Sequence, residues 1–124
     1  MSLKFYRCEH CGNIIAFAHS SGVPVMCCGS RMTEIEPNTT DAAQEKHVPV
    51  VSVDGNIVTV RVGSVDHPMI AEHYITWIAL QTENGNQRVV LKPGDAPVAS
   101  FALVPGDKVV AAFAYCNLHG LWKA

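Results

Sequence analysis

Residues 57–62 read Ile-Val-Thr-Val-Arg-Val, and this short stretch decides the fold of the larger part of the chain. Its three valines occupy every second position and alternate with Ile57, Thr59 and Arg61. Because side chains of a β-strand point alternately to opposite faces, this alternation is typical of a strand with one buried face. We therefore predict a strand here whose valines enter a core.

Similar β-prone runs lie on both sides of this strand, at 48–53, 73–82, 87–92, 98–104 and 107–115. Turn sequences rich in Gly, Asn, Asp and Pro separate them. Six or seven strands at this spacing, with no segment long enough for a crossover helix, predict an antiparallel β-sandwich of immunoglobulin-like type. One alternative stays open at 73–82, where Ile75, Ile78 and Ala79 would also suit one face of a helix.

The beginning of the chain has a different character, because four of the five cysteines lie within the first 28 residues and large apolar side chains are few there. A segment this small needs a staple to fold. The run Glu36-Pro37-Asn38-Thr39-Thr40 is typical of a linker, and residues 41–44 have the spacing of a capping box that opens a single helical turn. We predict two domains, 1–36 and 37–124.

Composition narrows the function classes. The chain has 124 residues, which excludes a large multidomain enzyme. Nine Lys and Arg residues against eleven Asp and Glu give a net charge of −2, with no basic footprint of the kind that a nucleic-acid-binding protein carries. No apolar run approaches the roughly 18 residues of a membrane span, and the N-terminus lacks the apolar core of a signal peptide. We therefore expect a cytoplasmic protein.

The first chemical motif is Cys8-x-x-Cys11, followed after a polar loop by the adjacent pair Cys27-Cys28. Two cysteines separated by two residues form a knuckle that points both sulfurs at one ion, and four thiolates complete a tetrahedral site for zinc or iron. The alternative is two structural disulfides, in which Cys8 and Cys11 each reach one member of the pair. Clustered cysteines in a reducing cytosol favour the metal.

A second, dispersed set consists of His47, His67, His73, Cys116 and His119. Each residue lies at a predicted strand end or in a loop, where a sandwich can bring side chains together at one pole. Four neutral imidazoles and one thiolate suit a first-row transition metal and leave one octahedral position open for substrate. The alternative is a group of unrelated surface histidines and a buried thiol. Trp122 follows His119 closely enough to pack beneath such a site.

A family resemblance joins these motifs. The segments CEHCG, VMCCGSRM, EKHVPV, VGSVDHPM, HYITWI, LKPGDAP and AYCNLHGLWKA, in this order, closely resemble the desulfoferrodoxins, the two-iron superoxide reductases. The resemblance runs nearly from end to end of the chain. It implies a mainly β protein in which a small desulforedoxin-like four-cysteine metal domain precedes the immunoglobulin-like sandwich. It also implies a homodimer.

Carried over position by position, the resemblance implies two iron ions per chain. The first would be bound by Cys8, Cys11, Cys27 and Cys28. The second would take four equatorial histidines and one axial cysteine, namely His47, His67, His73, His119 and Cys116. Glu45 and Lys46 match the family's loop residues beside the open position. No ligand of either set is missing from the sequence.

The reaction implied by the resemblance is the one-electron reduction of superoxide to hydrogen peroxide without formation of dioxygen, which detoxifies superoxide. A reduced donor such as rubredoxin would supply the electron. Two rival classes stay open from the residues alone. One is a non-enzymatic electron carrier that uses only the four-cysteine centre, and the other is a zinc-ribbon interaction module.

Overall fold

The computed structural model describes residues 2–124. The chain divides into two compact units, of which the first ends at Glu36 and the second is Pro37–Ala124. Each unit has its own strands and its own buried side chains.

The first unit consists of very short strands, β1 (Tyr6–Arg7), β2 (Ile14–Ile15), β3 (Met26–Cys27), β4 (Ser30–Arg31) and β5 (Thr33–Glu34). Strand β1 pairs with β2 on one side and with β5 on the other, and β3 pairs with β4, all antiparallel. Its buried hydrophobic side chains are Phe5, Cys8 and Met32. So few large buried side chains agree with a segment that needs a staple.

The second unit begins with a single helical turn, α1 (Gln44–His47), and continues as seven strands. These are β6 (Pro49–Asp54), β7 (Ile57–Val62), β8 (Ile75–Thr82), β9 (Gly85–Val90), β10 (Val98–Ala102), β11 (Val109–Cys116) and β12 (Gly120–Lys123). They form one sheet in the order β10-β7-β6 and another in the order β12-β11-β8-β9, with antiparallel pairing throughout. The predicted antiparallel sandwich is confirmed, and the helical alternative for 73–82 is wrong.

The valines of the opening stretch lie where their alternation places them. Val58, Val60 and Val62 are completely buried, at 0% exposure, whereas Ile57 and Arg61 are exposed. The hydrophobic core that they join draws on strands of both sheets and also contains Ile75, Ile78, Leu80, Leu91, Ala99, Phe101, Ala112, Ala114 and Cys116. The second unit therefore has a core of its own.

Strand pairing brings the chain segments that carry the histidines to one end of each sheet. Pro49, the first residue of β6, pairs with Val62, the last of β7. In the other sheet Cys116, the last residue of β11, pairs with Ile75 at the start of β8 and with Gly120 at the start of β12. The segments that carry the histidines are attached at these strand ends.

Two details differ from the sequence prediction. Strand β12 was not predicted, and the helical turn begins at Gln44 with Ala43 in the N-cap position, where no side chain caps it. The expected capping box starting at Asp41 is therefore wrong. The carbonyl oxygen of Ala43 accepts the Lys46 N–H at 3.3 Å and also lies 2.6 Å from Nδ1 of His47.

The segment predicted as a linker is fixed to the edge of β12 by Asn38. Its backbone N–H donates to the Leu121 carbonyl at 3.0 Å, its Oδ1 accepts the Lys123 N–H at 2.9 Å, and its Nδ2 donates to the Lys123 carbonyl at 3.1 Å. Asn38 adopts the left-handed conformation (φ 62°), which asparagine tolerates better than most residues. Part of the expected linker is therefore an ordered edge of the second unit.

None of the helical structure found between residues 2 and 124 is long and apolar enough to cross a bilayer.

Candidate metal centres

The four sulfurs of the first unit converge on one point. The Sγ atoms of Cys8, Cys11, Cys27 and Cys28 all lie within 4.8 Å of one another, and Cys11 Sγ is 3.7 Å from Cys27 Sγ. A disulfide would require about 2.05 Å. A tetrahedron with metal–sulfur bonds of about 2.3 Å has edges of about 3.8 Å. All five cysteines of the chain are free, so the alternative of two disulfides is wrong, and the sulfur separation fits a tetrathiolate metal centre.

Local backbone geometry builds the first knuckle. The N–H of Cys8 donates to the Asn13 carbonyl at 2.8 Å, and the N–H of Gly12 donates to the Cys8 carbonyl at 2.9 Å. The N–H of Cys11 points at Cys8 Sγ at 3.5 Å. The tight turn needs the left-handed conformation at Gly12 (φ 82°), which glycine adopts without steric cost.

The protons of these thiols are strongly interdependent. The N–H of Cys11 lowers the pKa of Cys8 to about 6, against the opposing effect of burial. Hydrogen bonds with Cys11 and then with the other two sulfurs raise the pKa of Cys28 to about 12. The cluster therefore gives up its first proton readily and holds its last one. A bound cation would displace the remaining protons, as metal binding to thiols requires.

The second centre lies at the pole where β6, β7, β8, β11 and β12 begin or end. The metal-binding atoms of His47, His67, His73 and Cys116 lie within 4.8 Å of one another. Nδ1 of His119 is 3.1 Å from His47 Nε2 and 3.8 Å from Cys116 Sγ. The structure thus brings together all five residues of the dispersed set.

Backbone carbonyls determine which nitrogen two of these histidines present. Nδ1 of His47 lies 2.6 Å from the Ala43 carbonyl oxygen, and Nδ1 of His67 lies 2.7 Å from the Pro68 carbonyl oxygen. A carbonyl can only accept, so both Nδ1 atoms carry the proton and both neutral rings present a bare Nε2 lone pair. Those two Nε2 atoms are only 3.2 Å apart. Two acceptors at this distance repel each other unless a cation lies between them.

A third imidazole supports the same conclusion. Nε2 of His73 is buried and has no hydrogen-bond partner within residues 2–124. Buried polar atoms nearly always have a partner, so an orphan of this kind needs a ligand to explain it. With metal–nitrogen bonds of about 2.1 Å, adjacent nitrogens of an octahedral site lie about 3.0 Å apart. The separations of 3.1 and 3.2 Å around His47 Nε2 therefore fit coordination of one transition-metal ion.

Burial favours the neutral form of three imidazoles of this centre. It lowers the pKa of His47 and lowers that of His67 to about 4, and in both cases the carbonyl hydrogen bond only partly offsets it. The pKa of His73 is also lowered, first by burial and then by the charges of His119 and Lys46. Burial raises the pKa of the Cys116 thiol. Neutral imidazole is the form that binds metals, and a metal would replace the thiol proton of Cys116.

Glu45 and Lys46 lie on α1, immediately before His47, and both side chains are exposed. Their charges reach the second centre, because Glu45 is among the groups that raise the pKa of His47 and Lys46 among those that lower the pKa of His73. Both exposed side chains precede the buried His47 directly in the chain, and we refer to these two residues as the rim residues. The structure brings them near the five residues without a direct side-chain contact among the described bonds.

Three further groups support the second centre. The sequence predicted one of them, Trp122, and did not predict the other two. Trp122 stacks on the ring of His47, with centroids 4.8 Å apart and planes at 28°, and its Nε1 donates to the His119 carbonyl at 3.1 Å. The expectation that Trp122 packs beneath the site agrees with this contact. The Ala43 and Pro68 carbonyls carried no sequence signal, because a backbone acceptor is independent of residue type. Proximity to His47 and His67 was the only available hint.

Comparison with known proteins matches both units. The desulfoferrodoxin family model matches residues 39–124, and the model for the desulfoferrodoxin N-terminal domain matches residues 2–35. Desulfoferrodoxin of Nitratidesulfovibrio vulgaris is 49% identical over 121 residues, which cover 98% of this chain and 94% of the relative. The desulfoferrodoxin homolog of Archaeoglobus fulgidus is 47% identical over 122 residues, 98% of this chain and 96% of the relative.

A solved structure is similar over the same length. The superoxide reductase from Treponema pallidum superposes with a TM-score of 0.85 and 40% identity, covering 100% of this chain and 99% of the other. The one-iron superoxide reductase from Giardia intestinalis shares 40% identity with a TM-score of 0.55, but covers only 64% of this chain and 95% of its own.

A β-sandwich with a four-histidine, one-cysteine centre, preceded by a four-cysteine centre, defines a class of non-haem metalloproteins with two separate metal sites. Both donor sets fit iron, since thiolates and imidazoles are ligands that iron accepts. Within that class, this chain belongs to the desulfoferrodoxin family.

Proposed function

We propose that this protein is a superoxide reductase, which transfers one electron to superoxide and, with two protons, forms hydrogen peroxide without dioxygen. The observation that carries the proposal is the second centre, in which buried neutral imidazoles and a buried thiol present their lone pairs to one point. Five protein ligands leave one octahedral position for a small substrate. The similarity to superoxide reductases over the full chain supports the same reaction.

We assign the ligand roles as follows. The second iron takes His47, His67, His73, His119 and Cys116, and the first takes Cys8, Cys11, Cys27 and Cys28. Residues 1–36 would then be a desulforedoxin-like iron-binding domain, and residues 37–124 the catalytic domain. Iron bound at the second centre supplies the electron and the binding position for the superoxide anion.

The chain's own residues prepare this centre for an anion. The imidazoles are neutral, so a divalent cation bound with one thiolate would carry a net positive charge. This local charge would attract superoxide although the whole chain has a net charge of −2. Cys116 would supply a thiolate ligand, which donates electron density to a bound iron as thiolates do in haem enzymes. His47 and His67 keep fixed tautomers through the Ala43 and Pro68 carbonyls, so their lone pairs need no reorganisation.

The rim residues act on the anion and on protons. Lys46 would add a positive charge beside the open position and order the water that delivers protons, and so would act mainly by electrostatics. Glu45 would offer a carboxylate as a further ligand for the open position once the product has left. Both roles are supported by their location on the turn that carries His47.

The wider setting is also part of the proposal. We place the protein in the cytoplasm as an electron-accepting detoxification enzyme that forms a homodimer and is reduced by a rubredoxin-like donor. The support is the resemblance to the family and the five free cysteines, which suit a reducing compartment. Electron transfer from purified rubredoxin and the mass of the iron-loaded protein in solution test the donor and the dimer separately.

The reaction is tested by mixing the anaerobically reduced, iron-loaded chain with superoxide. One peroxide per superoxide consumed, with no dioxygen released, is the expected result. Release of dioxygen in dismutase proportions would show that the assignment as a reductase is wrong. A colourless protein that carries only zinc would favour the zinc-ribbon class instead.

Cys116→Ser assigns the chemistry to the second centre. We expect loss of the thiolate-to-iron charge-transfer band of that centre and of superoxide reduction, because an alcohol oxygen does not replace the axial thiolate. The absorption of the four-cysteine centre should persist. Cys11→Ser is the matched control and should give the reverse pattern, with the first absorption lost and the direct reaction with superoxide kept. If the Cys116→Ser variant kept both the charge-transfer band and the superoxide reduction, Cys116 would not be a ligand of the second centre.

A further inference from the structure

Asn117 lies between two proposed ligands, Cys116 and His119, and its side chain reaches across to the segment that carries a third. Its Oδ1 accepts the N–H of Tyr74 at 2.9 Å, and its Nδ2 donates to the carbonyl of Glu72 at 3.0 Å. The backbone N–H of Asn117 also donates to the Tyr74 carbonyl at 3.2 Å. One asparagine therefore holds the main chain on both sides of His73.

These bonds replace a missing piece of sheet. The ladder between β8 and β11 is regular from the Gln81–Ala111 pair to the Trp77–Tyr115 pair and becomes irregular before Cys116. Beyond that point the amide of Asn117 supplies the donor and the acceptor that a paired strand would supply. The exposed side chain thus continues the connection between the two segments past the end of the sheet.

His73 needs such a connection more than two of the other histidines do. The rings of His47 and His67 are oriented by their own hydrogen bonds to carbonyl oxygens. Nε2 of His73 has no hydrogen-bond partner within residues 2–124. Its lone pair is therefore available to a metal, but no hydrogen bond at this atom fixes the orientation of the ring. Its backbone is fixed instead, by a reciprocal pair of bonds with Ile70, both 3.1 Å, and by Asn117 on its flanks.

We propose that Asn117 is a positioning residue of the second centre: its amide clamps the backbone on either side of His73 and so fixes this ligand relative to Cys116. The inference rests on the proposed ligand set. Asn117 touches neither substrate nor metal, and acts through the chain segments that carry two ligands. Outer contacts of this kind commonly change metal affinity by about 10- to 100-fold when they are removed.

The test uses the iron-loaded full chain and a chelator challenge, with the charge-transfer absorption of each centre followed separately. In Asn117→Ala we expect the second centre to lose iron about tenfold faster while the first centre keeps its rate. Asn117 has no left-handed backbone conformation, so alanine introduces no strain there. Asn86→Ala, on the exposed part of β9 at the other end of β8, is the matched control and should change neither rate.

Asn117→Asp separates the two halves of the clamp. It keeps the acceptor for Tyr74 N–H but loses the donor to Glu72, so we expect an intermediate rate of iron release. Hydrogen exchange at the Tyr74 amide should be faster in Asn117→Ala and near the wild-type rate in Asn117→Asp. This exchange readout does not depend on activity.

Three results would overturn the proposal. Unchanged iron release in Asn117→Ala would show that the clamp does not position a ligand, and equal acceleration at both centres would show a general loss of stability. A wild-type chain that loads iron at the second centre but forms no peroxide would refute the proposed function and leave this measurement valid. A wild-type chain that loads no iron there would refute the ligand set and the clamp together.

Discussion

At the level of single residues, the second centre depends on which atom each histidine presents. The residue types and their order in the chain were enough to predict the set His47, His67, His73, Cys116 and His119. They could not predict that His47 and His67 present Nε2, because that choice is made by carbonyls of Ala43 and Pro68. They also could not predict that His119 turns Nδ1 toward His47. The sequence states which side chains are present, but every residue has a backbone carbonyl, so the sequence does not indicate which carbonyls accept a hydrogen bond from a ligand.

The charge of Lys46 gives a prediction at this scale. Lys46→Ala should slow the reaction of the reduced protein with superoxide by about tenfold and flatten its dependence on ionic strength, because a nearby positive charge attracts the anion. Pulse radiolysis at several salt concentrations measures both. Lys108→Ala is the matched control, since Lys108 precedes β11 and lies at the opposite end of that strand from Cys116. An unchanged salt slope in Lys46→Ala would argue against attraction by this residue.

Among the elements, the short turn α1 depends on the chain that follows β7. The N–H of Val65 donates to the Glu45 carbonyl at 2.9 Å, and the Ser64 hydroxyl donates to the same oxygen at 3.3 Å. Gly63 lies directly against this turn: a Cβ atom placed on it would be 2.6 Å from the Glu45 carbonyl oxygen. The turn that carries Glu45, Lys46 and His47 is thus packed backbone to backbone against 63–65.

Gly63→Ala should therefore displace α1. We expect a loss of about 2 kcal/mol in stability, as for overpacking of a dense interior, together with a changed ferric spectrum of the second centre. Urea unfolding and the charge-transfer band measure the two effects. Ser64→Ala is the control, because it removes one hydrogen bond without adding an atom and should change both far less. A Gly63→Ala spectrum identical to that of the wild type would show that α1 is not held in this way.

The elements also show where sequence patterns stop being informative. The strand at 57–62 was predicted to the residue, since alternating valines leave one register for a buried face. Strand β12 was missed, because its residues Gly120–Lys123 alternate poorly and its partner along the other edge is the side chain of Asn38 rather than another strand. A four-residue edge strand that pairs with one neighbouring strand is too short to show a periodic signal of its own.

For the molecule as a whole, the two units differ in what holds them together. The second has a core drawn from both sheets, with several side chains at 0% exposure. Among the hydrophobic residues described between positions 2 and 36, the first unit buries only Phe5, Cys8 and Met32, and one of these is a proposed metal ligand. A unit with so little core is expected to depend on its metal for folding.

Removal of the first metal tests this difference. In the double variant Cys8→Ser, Cys11→Ser we expect amide exchange in residues 2–36 to become at least about tenfold faster, while residues 37–124 keep their protection. Hydrogen exchange with peptide resolution measures both units in one sample. Cys116→Ser is the control, and it should leave residues 2–36 unchanged. Undiminished protection of the first unit in the double variant would show that its apolar contacts suffice.

The lone pairs that face each other at 3.2 Å in the second unit have a consequence for how the protein matures. The rings that carry them are held by carbonyl hydrogen bonds within the protein, so their orientation is set by the fold itself. An ion that enters this centre would then require little rearrangement of these two side chains. Discrimination among competing metals would fall to the spacing and the types of the donor atoms. In the first unit, the ion and the fold would instead have to arrive together.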